Sequence, residues 1–374
     1  MSGPWTGVRV VETTGLTGAY ATRMWAALGA HVIVVEPPDG HPLRHLPPFA
    51  PGHEGPEASL WWAFFAQGKR SVVAEAGTPE HARLVASADV LIGDVDPAGD
   101  EPKPAHDRQV VVAVSPFGLT GPRRHWIGSE LIGWSSAGVA YTLGFPDRPP
   151  LGVAAPVQFA AHLTSLYALN AALLGLRAAR RTGRGQVADI SIQECCLTIA
   201  PEVGVPMWLD DRIPRVRAGN RRNSTRPWGL YPCADGFVSL LVLQPAHWRA
   251  MARWIAEETG IEGVLEEAFV DLRVRWEASE FIDDCTEALT GPHTKLDLFL
   301  EGQRRGIPIT PVNTVADILS DRHLDRAGFW QVDNHPDLGP LTGPGAPFRV
   351  NHDWWQWASA PRLGAHTAEE LACA

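Results

Sequence analysis

Arg44 and the triplet Gly68-Lys69-Arg70 carry the sharpest chemical signal in the chain. Lysine is rare in this sequence, and a Lys-Arg pair running straight into the apolar Ser71-Val72-Val73 is unlike an ordinary solvated face. A forked guanidinium beside an ammonium suits a ligand with several phosphate charges; a salt-bridged strand start is the competing explanation. Two loops could complete such a site. Thr13-Thr14-Gly15-Leu16-Thr17-Gly18 leads into a helical pattern, and a helix amino end offers unsatisfied N–H groups to phosphate. Ser115 to Pro122 ends a strand in a glycine-bounded loop around Gly118, and ligands of open parallel sheets gather at the carboxyl ends of strands. Glu130 is the nearest acid downstream and a candidate for acid-base work, although a surface glutamate is the commoner explanation.

Composition narrows the classes of partner. The 374 residues carry a net charge of -10, which excludes a nucleic acid or an anionic membrane held by bulk charge. A polyanionic ligand therefore needs a local basic pocket. The five cysteines form no Cys-x-x-Cys pair and are odd in number, so neither a metal site nor a disulfide framework is expected, and a reducing compartment is. No signal-peptide pattern opens the chain, which points to the cytoplasm. The longest apolar stretch, Val153 to Leu176, is interrupted by Gln158, His162, Thr164 and Asn170, and reads as a buried helix rather than a membrane span. Glu36 ends a strand where a dinucleotide-binding fold places its ribose-binding acid, but the full G-x-G-x-x-G spacing is missing and an NAD site is disfavoured.

The elements that must position these residues follow from hydrophobic periodicity. Val8–Glu12 is a short strand, Ala19–Leu28 a helix, and His31–Val35 a buried strand: a βαβ unit on a parallel sheet. Val90–Ile92 and Val110–Ser115 add strands, giving the first 120 or so residues a doubly wound, nucleotide-binding character. A long helix from about Val157 to Arg180 stops at the basic, glycine-rich Arg180 to Gln186, and a strand Val187–Ile192 follows. The polar Asp210–Arg226 reads as a crossing into a smaller domain with a strand Gly236–Leu243 and helices Ala246–Thr259 and Thr286–Glu301. From Gly328 onward, proline and glycine suggest an extended tail wrapping back over the protein. The fifteen tryptophans are expected mainly in core and interface packing.

Several segments in fixed order resemble the class III CoA-transferases, the carnitine CoA-transferase and bile-acid-inducible family. They are Gly7 to Glu12, Tyr20 to Arg23, Leu28 to Pro38, Gly68 to Val72, Ala88 to Ile92, Phe117 to Pro122, Thr182 to Gln186, Tyr231 to Gly236, Gly306 to Thr314 and Pro344 to Arg349, nearly the whole chain. The resemblance implies an α/β fold with a Rossmann-like large domain from both chain ends (1–204 and 326–374) and a small α/β domain (205–325). It also implies an intertwined, interlocked dimer, with itself or with a family homologue. CoA or acyl-CoA would bind as substrate together with a carboxylic acid. Arg44 then matches the family arginine near the CoA phosphates, with Lys69, Arg70 and Gly118 in matching stretches.

The sequence departs from the family at the chemistry. In the transferases an aspartate attacks the acyl-CoA thioester, passing through a mixed anhydride and an enzyme thioester. Gln158 stands at that position and His162 at a position usually glycine; no aspartate lies between Asp147 and Asp189. The racemase branch of the family uses a His and an Asp, which align with Ser129 and again Gln158. A glutamine or similar contact in the first loop aligns with Leu16, and Asp94 to His106 is compressed. Two expectations result. One is a CoA-binding family member lacking the usual nucleophile, as partner of an aspartate-bearing homologue. The other is a different chemistry on the same fold, with Glu130 and His162 as acid and base because His162 lies one helical turn from Gln158. A binding protein without turnover is a third.

Overall fold

A computed structural model describes residues 3–99, 102–152, 158–199, 208–210, 212, 216–221, 224–351 and 353–374. Two compact units divide the chain: Met1–Ala140 with Gly152–Arg215 and Leu324–Ala374, and Tyr141–Leu151 with Val216–His323. The expected boundary at 204/205 falls outside the described residues.

The larger unit is built on six strands, β1 (Arg9–Thr13), β2 (His31–Glu36), β3 (Arg70–Val73), β4 (Val90–Asp94), β5 (Val110–Ser115) and β6 (Val187–Ser191). All pair in parallel, in the order β3-β2-β1-β4-β5-β6. Such a sheet must be covered on both faces, and the side chains comply. Ile33 and Val35 pack with Val11, Leu84 and Ala88 on one face, while Val34 packs with Ala19, Trp62 and Phe65 in a separate cluster. The six residues of β5, Val-Val-Val-Ala-Val-Ser, are all buried, whereas β6 at the edge alternates.

The helices of this unit include α1 (Leu16–Ala27), α2 (Leu60–Phe65), α3 (Pro79–Ala86), α4 (Glu130–Ser136), α5 (Phe159–Thr182) and α6 (Ile192–Ile199). α1 begins at Leu16, three residues before the sequence pattern suggests, because Asp94 rather than a local side chain satisfies its amino end. α5 has the length and composition to cross a membrane, but its small residues Ala161, Ala168, Ala172, Gly175 and Ala179 form a buried face. A Cβ on Gly175 would sit 2.6 Å from Val110 Cγ1, so the glycine lets α5 lie directly on β5. The helix ends as expected, with Gly183 in the left-handed region at φ 74°.

The tail expectation is partly corrected. Residues 330–344 form an antiparallel hairpin of Trp330–His335 and Gly339–Pro344, whose prolines are tolerated in a two-stranded ribbon. Beyond it the chain does strap the larger unit: Gln356 N–H donates to Ala27 O at 2.7 Å and Trp62 Nε1 to Pro361 O at 3.0 Å. The carboxyl-terminal helix α10 (Thr367–Cys373) then docks through Glu370, whose buried carboxylate pairs with His31 at 2.8 Å, Arg9 at 2.9 Å and Arg70.

In the smaller unit, β7 (Trp228–Cys233), β8 (Gly236–Leu241) and β9 (Ile309–Pro311) form an antiparallel sheet. Its core joins Tyr231, Val238 and Leu240 to α7 (Pro245–Thr259), α8 (Ser279–Thr290) and α9 (Lys295–Arg305) through Trp248, Trp254, Ile282, Leu289 and Leu298. The single helix expected over Thr286–Glu301 is two. α8 stops before Gly291-Pro292, and Thr294 caps a new helix by accepting from Asp297 N–H at 3.2 Å.

Two buried ion pairs pin the sheet. Glu12 accepts from Lys69 Nζ at 2.7 Å, and Glu36 accepts from Arg44 Nε at 2.6 Å and Nη2 at 2.9 Å, with all four side chains buried. Removing one partner leaves an uncompensated buried charge, so Lys69→Met should lower unfolding free energy by about 3–5 kcal/mol in denaturant titration; no measurable loss would contradict the pairing. Burial opposes ionisation of Glu370, but His31, Arg9 and Arg70 together hold its carboxyl below the usual glutamate range. A depressed carboxyl contributes its full stability above that range and loses it as pH falls below. Glu370→Gln should therefore cost about 1–3 kcal/mol at pH 7 and flatten the acid limb of a Tm-against-pH curve, whereas an unchanged acid limb would refute the role of this cluster.

Candidate active site

The strand order reverses between β1 and β4, and in open α/β sheets that reversal opens a crevice at the carboxyl ends of the strands. A cleft of about 320 Å³ lies there, walled by Leu16 and Thr17 after β1, Asp94 and Val95 at the end of β4, and Ser115 and Pro116 at the end of β5. Gly128, Ser129 and Glu130 at the start of α4 and Gln158 and Ala161 at the start of α5 close the other side. All these residues belong to the larger unit.

Gln158 is the residue before the first turn of α5, and its side chain makes no capping hydrogen bond. The helix amino end is satisfied from outside instead. Glu130 accepts from Ala160 N–H at 2.8 Å and Ala161 N–H at 2.9 Å, and its Oε1 also takes the Trp134 indole N–H at 2.9 Å. A carboxylate at a helix amino end is favoured by both hydrogen bonding and the macrodipole. Glu130 is thereby held as an acceptor with three donors.

Asp94 does the same for α1, accepting from Gly15 N–H at 2.7 Å and Thr17 Oγ1 at 2.6 Å. It is open to the cleft yet ringed by protein. Desolvation there pushes its carboxyl above the ordinary aspartate range, against the pull of the Gly15 and Thr17 donors, and the nearby Glu12 carboxylate adds to the upward push. In the sequence Asp94 stands out only as the start of a compressed stretch; the signal that marks it is an acid at the end of a strand next to the reversal in strand order.

His162 does not face this cleft. Its Nδ1 donates to Gln158 O at 2.6 Å, and its ring packs against Tyr20 and Phe65 at centroid distances of 5.7 and 5.6 Å. With Pro48, Leu60, Trp61, Phe64 and Phe65 it lines a separate apolar groove of about 300 Å³. Glu130 and His162 thus occupy different cavities, and the structure does not assemble them as an acid-base couple.

The basic residues singled out from sequence are engaged internally. Arg44 is buried, bonded to Glu36, to Glu57 at 2.6 Å, and stacked over Trp62 with its guanidinium carbon 3.7 Å from the ring centre. Lys69 is buried on Glu12. Arg70 is partly exposed, but it pairs with Glu369 and Glu370 beside Arg9 and His31, the first residues of β1 and β2, at the sheet end opposite the cleft. None of the three lines the cleft, because each neutralises a carboxylate that the fold brings beside it. The same pairing removes Glu36 as a ribose-binding acid.

Gly118, at φ 86°, donates its N–H to Ser115 Oγ at 2.9 Å in a loop that Asp189 braces by accepting from Leu119 N–H at 2.9 Å. Leu16 lies in the cleft wall as the first residue of α1, and Ser129 caps α4 at the cleft rim. Burial pushes the thiols of Cys195 and Cys196 up to about 11 and about 12, so neither is a nucleophile near neutrality. Among the described residues no group of three or more His, Cys, Asp or Glu could hold a metal ion. The cleft is therefore a largely apolar chamber whose polar positions are the Gln158 amide, the helix-capping carboxylates of Asp94 and Glu130, and the hydroxyls of Thr17, Ser115 and Ser129.

Comparison with known proteins places this geometry. The chain is 33% identical over 97% of its length, and 92% of the relative's, to the Thauera aromatica protein named succinyl-CoA:(R)-benzylsuccinate CoA-transferase subunit BbsE. It is 30% identical, over 97% of itself and 92% of the relative, to a succinyl-CoA–D-citramalate CoA-transferase of Chloroflexus aurantiacus. The crystal structure of a CAIB/BAIF family protein from Brucella suis superposes with a TM-score of 0.84 at 25% identity, covering 100% of this chain and 99% of the other. The model of CoA-transferase family III matches residues 6–367, so with the parallel sheet and its cleft this chain is a member of CoA-transferase family III.

Proposed function

We propose that this chain is a CoA-binding, nucleophile-deficient member of the family, acting with an aspartate-bearing homologue to move CoA between carboxylic acids. The observation that carries the reading is Gln158, an amide at the mouth of α5 in the cleft, at the position where the resemblance puts the attacking aspartate. Transfer through an anhydride requires a carboxylate that attacks the thioester carbonyl, expels the thiolate and is itself re-esterified. A neutral amide does none of these steps, but its N–H₂ can donate to a thioester carbonyl. Glu130, engaged by three donors, fixes α5 so that Gln158 meets the cleft.

The Thauera relative's name as a subunit supports a heteromeric arrangement. So does the apolar surface that α5 leaves open at Leu166, Tyr167 and Leu174. In this reading the larger unit is Rossmann-like and the dimer interlocked, and the five unpaired cysteines suit a reducing cytoplasm. The CoA phosphates find their cations outside Arg44, Lys69 and Arg70, which the fold uses itself.

Gln158→Asp is the direct test. The purified wild-type chain should bind CoA thioesters but exchange labelled CoA into free acid at least about 10³-fold more slowly than the aspartate variant. Full exchange by the unmodified chain alone, undiminished in Gln158→Ala, would overturn the reading.

A further inference from the structure

The cleft around Gln158 has an unusual electrostatic balance for a family whose relatives here are named for succinyl-CoA. Its wall contains two ionisable side chains, Asp94 and Glu130, both acids, and no Lys, Arg or His among the described residues. Helix amino ends are the usual substitute for a cation in holding an anionic ligand group. Here those of α1 and α5 are occupied from within. Asp94 takes Gly15 N–H and the Thr17 hydroxyl, and Glu130 takes Ala160 and Ala161 N–H. The remaining surface is mostly apolar, with Leu16, Val95, Val114, Ile127 and Ile192.

Resting on the CoA-binding reading above, we propose that this chamber selects uncharged acyl chains and turns away acyl groups that end in a carboxylate, with Asp94 as the specificity-determining residue. The physical basis is twofold. A second carboxylate entering the chamber leaves water without gaining a cation, and it meets Asp94 across a medium less polar than water, which already opposes the ionisation of Asp94 itself and in which like charges repel strongly. An aliphatic acyl chain instead buries its surface against the leucine, valine and isoleucine wall. At about 320 Å³, the cleft has the volume of a small-ligand site. Glu130, satisfied by three donors, projects less unbalanced charge than Asp94, which accepts from two and stays open to the cleft.

The test uses the full-length protein and two thioesters of equal chain length, butyryl-CoA and succinyl-CoA, titrated calorimetrically at matched ionic strength. Succinyl-CoA should bind more weakly by about 10- to 100-fold, and Asp94→Asn should shrink that ratio to within about threefold of unity. Equal or tighter binding of succinyl-CoA by the wild-type protein, or a ratio untouched by the substitution, overturns the proposal while leaving CoA binding intact. Failure of both thioesters and of free CoA to bind is a different result: it removes the CoA-binding reading and this inference together.

Discussion

The carboxylate of Glu130 holds the amino end of α5, and the character of the cleft depends on that contact. α5 is the long helix laid on β5, and Gln158, the residue before its first turn, lies in the cleft at the reversal point of the sheet. Without an outside acceptor, the first N–H groups of a buried helix would be left unpaired or would turn to whatever ligand entered. Glu130 supplies that acceptor from α4. Asp94 supplies the equivalent for α1 from the end of β4. The amino ends of α1 and α5 therefore serve the fold, and an amide is left at the chemical centre.

The same economy governs the buried cations. Lys69 and Arg44 sit where a ligand-binding role is easy to imagine, yet each lies against a glutamate near the carboxyl end of a strand. Glu12 is the penultimate residue of β1 and Glu36 the last of β2, and neither lines the cleft. Buried pairs of this kind specify an arrangement more than they stabilise it. The strap of the carboxyl-terminal segment over α2, ending in the Glu370 cluster, covers the amino end of the same sheet.

Much of this was legible in the sequence, for identifiable reasons. Short apolar runs rich in valine at His31–Val35 and Val110–Ser115 point to doubly covered parallel strands, and both are. Gly183 marks the end of α5 because only a left-handed residue fits there cheaply. The family resemblance likewise survives comparison across residues 6–367. What sequence could not show was long-range pairing. Nothing local announces that Lys69 meets Glu12, 57 positions away, or that Asp94 caps a helix 79 positions earlier. The spacing of Gln158 and His162 suggested one face, but a hydrogen bond from His162 Nδ1 to the Gln158 carbonyl turns the imidazole into the aromatic groove. The break at Gly291-Pro292 was visible in the letters and was overridden by an apolar pattern that runs on through both helices.

The account rests on the absence of an attacking carboxylate in this chain's cleft, and covalent trapping tests it most directly. The purified chain would be incubated with an acyl-CoA, quenched with hydroxylamine, and its peptides analysed by mass spectrometry for hydroxamate at every aspartate and glutamate. The account predicts no modified carboxylate, with Gln158, Asp94 and Glu130 all unchanged. A hydroxamate on Asp94, Glu130 or any other acid of the cleft would show that this chain carries its own nucleophile and would contradict it.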